Sequence, residues 1–112
     1  MKRIEAIIRP TKVGRVCTAL EGMGHPGPRI SQVENKSQTG AGYLLRGVTY
    51  KAALVTKSRV EVIAKDGEAG MIIEAIRKAA FTGENGDGEI FVYAIEDAIR
   101  IGTGESGEAA IS

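Results

Sequence analysis

Residues 82–92 read TGENGDGEIFV, and of all segments in this 112-residue chain they are the best suited to chemistry. Gly83, Gly86 and Gly88 free the backbone to bend tightly and to turn several N–H groups toward one ligand. Phosphate or carboxylate suits such a loop. Glu84, Asp87 and Glu89 oppose this, because each carboxylate repels an anion. A ligand of this loop has to satisfy both facts.

Other reactive side chains are few. Cys17 is the only cysteine, so neither an intramolecular disulfide nor a cysteine zinc cluster is open to the chain. It falls at core spacing on a helix pattern and reads as a small core residue. His25, the only histidine, stands between Gly24 and Pro26 in a turn, where a surface or capping role fits better than catalysis. From Asn35 to Val60 there is no acidic residue, while Lys36, Arg46, Lys51, Lys57 and Arg59 are basic. Gly40 and Gly42 make that stretch flexible, and Tyr43, Leu44, Leu45, Tyr50 and Leu54 supply apolar anchors. Two readings stand side by side: a basic arm that orders on a partner protein, or a solvated hairpin whose charges aid solubility.

The elements that must position these residues follow from periodicity. Residues 2–8 alternate, with Ile4, Ala6 and Ile8 on one face and Arg3, Glu5 and Ile7 on the other, as in a strand. Pro10 and Thr11 mark a helix start, and Val13, Val16, Cys17, Leu20 and Met23 form its stripe. The glycines and prolines of 22–28 stop that helix. Residues 29–35 read as a second strand, 36–57 as a long insertion without a regular element, and 58–64 as a third strand. Asp66-Gly67 reads as a turn. Ile72, Ala75, Ile76, Ala79 and Ala80 make a second helical stripe, the glycine loop follows, and 90–95 is a strand apolar on both faces. The polar tail, about 103–112, is expected to be mobile.

The order strand–helix–strand–strand–helix–strand is the split βαβ, or ferredoxin-like, α+β arrangement, in a single domain over 1–112. Both helices cover one sheet face. The other carries Ile7 and Ile63 among Arg3, Glu5, Arg59 and Glu61, a mixture that suits a subunit interface, so a homo-oligomer is expected. The net charge of +1 gives no bulk attraction to nucleic acid or membrane, and the 43% apolar content is ordinary for a globular domain. Charges at Lys2, Arg3 and Glu5 do not fit a signal peptide, and no apolar run nears the roughly 18 residues of a membrane span. The expected address is cytoplasmic.

A family resemblance rests on residues 1–10 (MKRIEAIIRP), 45–50 (LRGVTY), 82–91 (TGENGDGEIF) and 99–105 (IRIGTGE). Together these resemble the PII family of signal-transduction proteins. Its first signature is usually Tyr-Lys/Arg-Gly-Ala/Ser-Ala/Glu-Tyr, of which Arg46, Gly47 and Tyr50 are kept. Its second is usually Ser/Thr, three residues, Gly-Asp/Tyr-Gly, Lys/Arg, Ile/Val and an aromatic. Thr82 to Phe91 follow it everywhere except at Glu89.

The resemblance implies a ferredoxin-like homotrimer that binds adenine nucleotide between subunits. The phosphate loop maps to Gly86, Asp87 and Gly88, with Glu89 at the position of the family's cation. The residues flanking adenine map to Gly27, Arg29, Glu61 and Ile63, and a phosphate-touching arginine maps to Arg100. In many members 2-oxoglutarate chelates magnesium beside ATP with help from a glutamine and a lysine. Gln38 and Lys57 match these, with Gln38 on the metal side. The family's modifiable tyrosine matches Tyr50. The implied function is a regulator in nitrogen metabolism whose 36–57 loop engages or releases a target, such as a membrane transporter or metabolic enzyme.

The departures concern phosphate. Glu89 replaces a cation, the family's second closing arginine is Gly102, and a further loop arginine has no counterpart near Lys36-Ser37. A unit charge about 5 Å away is worth on the order of 1–3 kcal/mol at an effective dielectric of roughly 20–80, and a reversal doubles it. ADP or AMP is therefore expected to be preferred over ATP, or a metal ion to be needed to offset the acids. An alternative is a relative that senses AMP or ADP with bicarbonate and serves inorganic-carbon uptake or fixation. A small ferredoxin-like enzyme is the third reading. It lacks a positioned base, nucleophile or ligand spacing, so the chain is expected not to be an enzyme.

Overall fold

Seven residues alternate along β1, Lys2–Ile8, and the computed structural model buries Ile4, Ala6 and Ile8 on one of its faces. Residues 1–25, 27–36, 43–45, 48–50 and 54–111 are described, with the backbone alone at 35–36, 43–45, 48–50 and 54. After β1, Pro10 opens a short 3-10 turn, Pro10–Lys12, where its missing N–H costs nothing. The turn feeds α1, Val13–Gly22, whose Val16 and Leu20 enter the core while Cys17 stays half-buried. Then come β2, Arg29–Lys36; β3, Tyr43–Leu45; β4, Val48–Tyr50; β5, Leu54–Ala64; α2, Asp66–Ala80; and β6, Gly88–Ala94.

The main sheet runs β2-β5-β1-β6 with every neighbour antiparallel, and β3 pairs with β4 apart from it. This is the expected ferredoxin-like order, extended by a small hairpin. Ile72, Ile76 and Ala80 of α2 meet Val16 and Leu20 of α1 over Ile4, Ile8, Val60 and Val62 of the sheet. Each large side chain fully buried there contributes about 1.5–3 kcal/mol.

The structure differs from expectation at the 36–57 insertion, at Asp66-Gly67 and at β6, which runs Gly88–Ala94 instead of 90–95 because Ile8 and Ile7 pair with Gly88 and Glu89. Part of the 36–57 insertion is regular: β5 begins at Leu54 rather than Ser58, and β3 and β4 form a pair. The cause is β2, which pairs Val55 with Asn35, Thr56 with Glu34 and Lys57 with Val33, so ladder hydrogen bonds carry the strand beyond its core-facing part. Asp66 and Gly67 belong to the first turn of α2 instead of a separate turn, an acidic position favoured by the helix dipole. The polar tail folds into a hook. Ile99 bridges Ser106, Arg100 N–H bonds Glu105 at 2.8 Å, and a 3-10 turn spans Gly107–Ala110. Asp97 holds the hook by accepting from the N–H groups of Ala98 and Gly107 at 2.8 and 3.1 Å.

Candidate functional site: a latched glycine loop and a neighbouring cleft

The glycine loop connects α2 to β6. Asp87 organises it from within. Its carboxylate accepts from the Thr82 hydroxyl, from Thr82 N–H at 2.8 Å and from Gly83 N–H at 3.1 Å. Arg9, one residue beyond β1, donates from Nε to the same carboxylate at 3.3 Å and from Nη2 to the Asn85 carbonyl at 2.7 Å. The Thr82 hydroxyl and N–H, together with Gly83 N–H and Arg9, hold the Asp87 carboxyl well below the usual carboxylate range. Asp87 thus ties the loop together and points its charge at the loop's own donors.

The glycines are needed for stated reasons. Gly88 has φ +103°, and a Cβ there would stand 1.7 Å from the Ile7 carbonyl oxygen. No side chain fits, because the loop enters β6 pressed against β1. Gly86 has φ +96° and a hypothetical Cβ 3.3 Å from the Arg9 guanidinium. Lys57 donates from Nζ to the Gly86 carbonyl. Sequence reasoning passed over Arg9; the register signal was available, since Ile8 pairs with Gly88 and places the next residue beside the loop.

The expected site residues fall into two groups. Gly86, Asp87, Gly88 and Lys57 come together around Arg9, with Glu89 exposed beside them. Gly27, Arg29, Glu61 and Ile63 line a separate cleft of about 380 Å³, with His25, Pro28, Val62, Ala110 and Ile111 completing its wall. Arg29 and Glu61 are register partners there. Ser58, on the row that leads through Ile8 to Gly88, lies roughly 10 Å along β5 from Glu61 at about 3.3 Å per residue. Arg100 reaches this second group through the hook, donating from Nε to the Ala110 carbonyl at 3.3 Å. Gln38 lies outside the described residues, and Tyr50 is described only as backbone in β4. Among the described residues no group of His, Cys, Asp or Glu is placed to hold a metal ion. No helix among them is long and apolar enough to cross a membrane.

The face of the sheet away from the helices carries Arg3, Glu5, Ile7, Arg59, Glu61, Ile63, Phe91 and Tyr93. Arg59 Nε is 3.8 Å from Glu5 and 4.0 Å from Glu61, and the Arg3 guanidinium sits 4.2 Å from the Tyr93 ring centroid. Phe91 and Tyr93 are 46% and 41% exposed in the single chain, so apolar surface remains uncovered there.

A ferredoxin-like sheet with a glycine loop latched at one end of it is an architecture that known proteins share. The family model described as "Nitrogen regulatory protein P-II" matches residues 1–105. Nitrogen regulatory protein P-II of Rhodospirillum rubrum is 46% identical over 112 residues, covering 99% of this chain and 100% of that protein. Nitrogen regulatory protein P-II 2 of Methanothermobacter thermautotrophicus is 39% identical, covering 99% and 97%. The solved structure of Arabidopsis thaliana PII bound to citrate superposes with a TM-score of 0.80 at 34% identity, covering 97% of this chain and 90% of that one. The chain belongs to the nitrogen regulatory protein P-II family, whose description is regulatory rather than enzymatic.

Proposed function

We propose that this protein is a cytoplasmic, homotrimeric regulator that reads an adenine nucleotide and a small carboxylate and passes the reading to a target through residues 36–57. The observation that carries the proposal is the pairing of Lys57 with the glycine loop. Lys57 is the last residue of the 36–57 insertion and lies on β5, so a ligand that draws the lysine or the loop away from the other also moves the root of the insertion. Two states of that root with different ligand affinity are what linked binding requires.

In this reading the loop at Gly86, Asp87 and Gly88 receives phosphate, while Gly27, Arg29, Glu61 and Ile63 flank the base. Lys57 takes the carboxylate with Gln38, and Arg100 adds a cation. The two groups of residues are about 10 Å apart by strand rise, a separation suited to the two ends of one nucleotide. Glu89 and Gly102 stand where cations would help a triphosphate, so ADP or AMP is the preferred ligand. The apolar and charged residues of the helix-free face meet their counterparts in the trimer. Targets of the transporter or metabolic-enzyme class, and modification of Tyr50, belong to the same proposal.

A second reading shares the architecture and replaces the carboxylate with bicarbonate. The exposed Glu89 favours it, Lys57 the first. Calorimetric titration of AMP, ADP and ATP, each with 2-oxoglutarate or bicarbonate, separates them. Enhancement by 2-oxoglutarate alone supports the first, enhancement by bicarbonate alone the second, and no binding of any nucleotide removes both.

A further inference from the structure

His25 does more than end a turn. Its backbone N–H caps α1 by bonding the Leu20 carbonyl at 2.9 Å. Its ring Nε2 lies 2.7 Å from Oε2 of Glu68, a residue 43 positions later in the first turn of α2. A carboxylate only accepts, so Nε2 carries the hydrogen. The ring is about one quarter exposed, which shields the contact from water without removing it. His25 therefore joins the loop leaving α1 to the start of α2. The same residue lines the cleft that holds Gly27, Arg29, Glu61 and Ile63.

The connection acts on a segment with few other restraints. Gly24 has φ +83°, a backbone state that gives the loop a sharp change of direction. From there to the start of β2, His25 is the one described residue whose side chain can hydrogen-bond, the others being Gly24, Gly27 and Pro28. The far wall of the cleft, Glu61 to Ile63, is held rigidly inside β5. Arg29 is tied to that wall as the register partner of Glu61, so the part of the near wall left for another restraint to place is Gly27.

We propose that His25 is a positioning residue: its bond to Glu68 fixes Gly27 at the spacing from Glu61 and Ile63 that a planar ligand needs. The ligand's identity as the base of a nucleotide rests on the reading above; the strut itself does not. His25→Gln tests the idea well, because the Gln amide nitrogen offers a donor near the position of Nε2. His25→Ala and Glu68→Ala each remove the bond.

The experiment combines amide hydrogen exchange at Gly24 and His25, whose N–H groups bond the Glu21 and Leu20 carbonyls, in the ligand-free protein with ADP calorimetry. His25→Ala and Glu68→Ala should each speed exchange roughly tenfold, the scale of one charge-assisted hydrogen bond. The double variant should be no faster than either single one, and His25→Gln should stay within about twofold of the parent. ADP affinity should follow the same order. Additive effects, or no change in exchange, overturn the strut. Faster exchange with unchanged ADP affinity overturns the positioning role. If the parent chain does not bind ADP, the nucleotide reading fails on its own, and exchange still decides the strut.

Discussion

The Asp87 carboxylate lies 2.8 Å from the backbone nitrogen of Thr82, five residues earlier, and so closes the glycine loop on itself. The acid thereby faces donors of its own loop. A residue that looks repulsive to phosphate in sequence is an internal fastener in the fold.

Asp87→Asn keeps the size but sets an NH2 group among donors. We expect the loop to loosen and ADP affinity to fall roughly tenfold, the loss expected for a charge-assisted hydrogen bond at a preorganised site. The fold should survive, because the core lies elsewhere. Calorimetry with circular dichroism on the same sample checks both halves, and full affinity in the variant contradicts the latch.

The latch should also resist acid. The Asp87 carboxyl is lowered by its bonds to Thr82, so its contribution is fully present above the ordinary carboxylate range near 4. It is lost only as pH falls through the lowered value. The Thr82 and Gly83 amide resonances should therefore hold steady from pH 7 to about 3. A transition centred near 4 would mean that the carboxylate is not bonded as described.

Gly88 and Gly86 should separate sharply on substitution. Gly88→Ala drives a methyl into the Ile7 carbonyl at 1.7 Å and adds positive-φ strain, so a loss of about 3 kcal/mol or more is expected. Gly86→Ala meets the side-chain ends of Arg9 at 3.3 Å and Lys57 at 3.7 Å, which can shift, so backbone strain dominates its cost of about 1–2 kcal/mol. Urea unfolding of both variants measures the gap, and equal midpoints would contradict the contact.

These glycines illustrate what could be read from the chain beforehand. The four strands of the sheet and both helices were legible, because Ile4, Ala6, Ile8, Val60 and Val62 alternate while Val16, Leu20, Ile72 and Ile76 follow helical spacing. Burial imposes those periods. The hairpin inside 36–57 and the early start of β5 were not legible, because backbone pairing across strands imposes no side-chain period of its own. The glycine loop announced itself by composition. Its fastening by Arg9, and the joining of His25 to Glu68, arise from contacts 78 and 43 residues apart that no local pattern records.

The helix-free face predicts assembly. Phe91 is the register partner of Glu5 and stands half-exposed in the single chain, as Tyr93 does beside Arg3. Phe91→Asp adds a charge to that surface and should convert a trimer into monomers, since a buried unpaired charge is strongly disfavoured. Sedimentation velocity measures this. A monomeric parent, or a variant that stays trimeric, removes this face from the interface.

The central claim concerns phosphate charge at the glycine loop, and metal-free calorimetry of AMP, ADP and ATP on the parent and on Glu89→Lys tests it most directly. The parent should bind ADP or AMP more tightly than ATP. Glu89→Lys should raise ATP affinity roughly tenfold or more while changing AMP much less, as a charge reversal near the terminal phosphate requires. Tight metal-free ATP binding by the parent, or equal gains for all three nucleotides in the variant, would contradict the account.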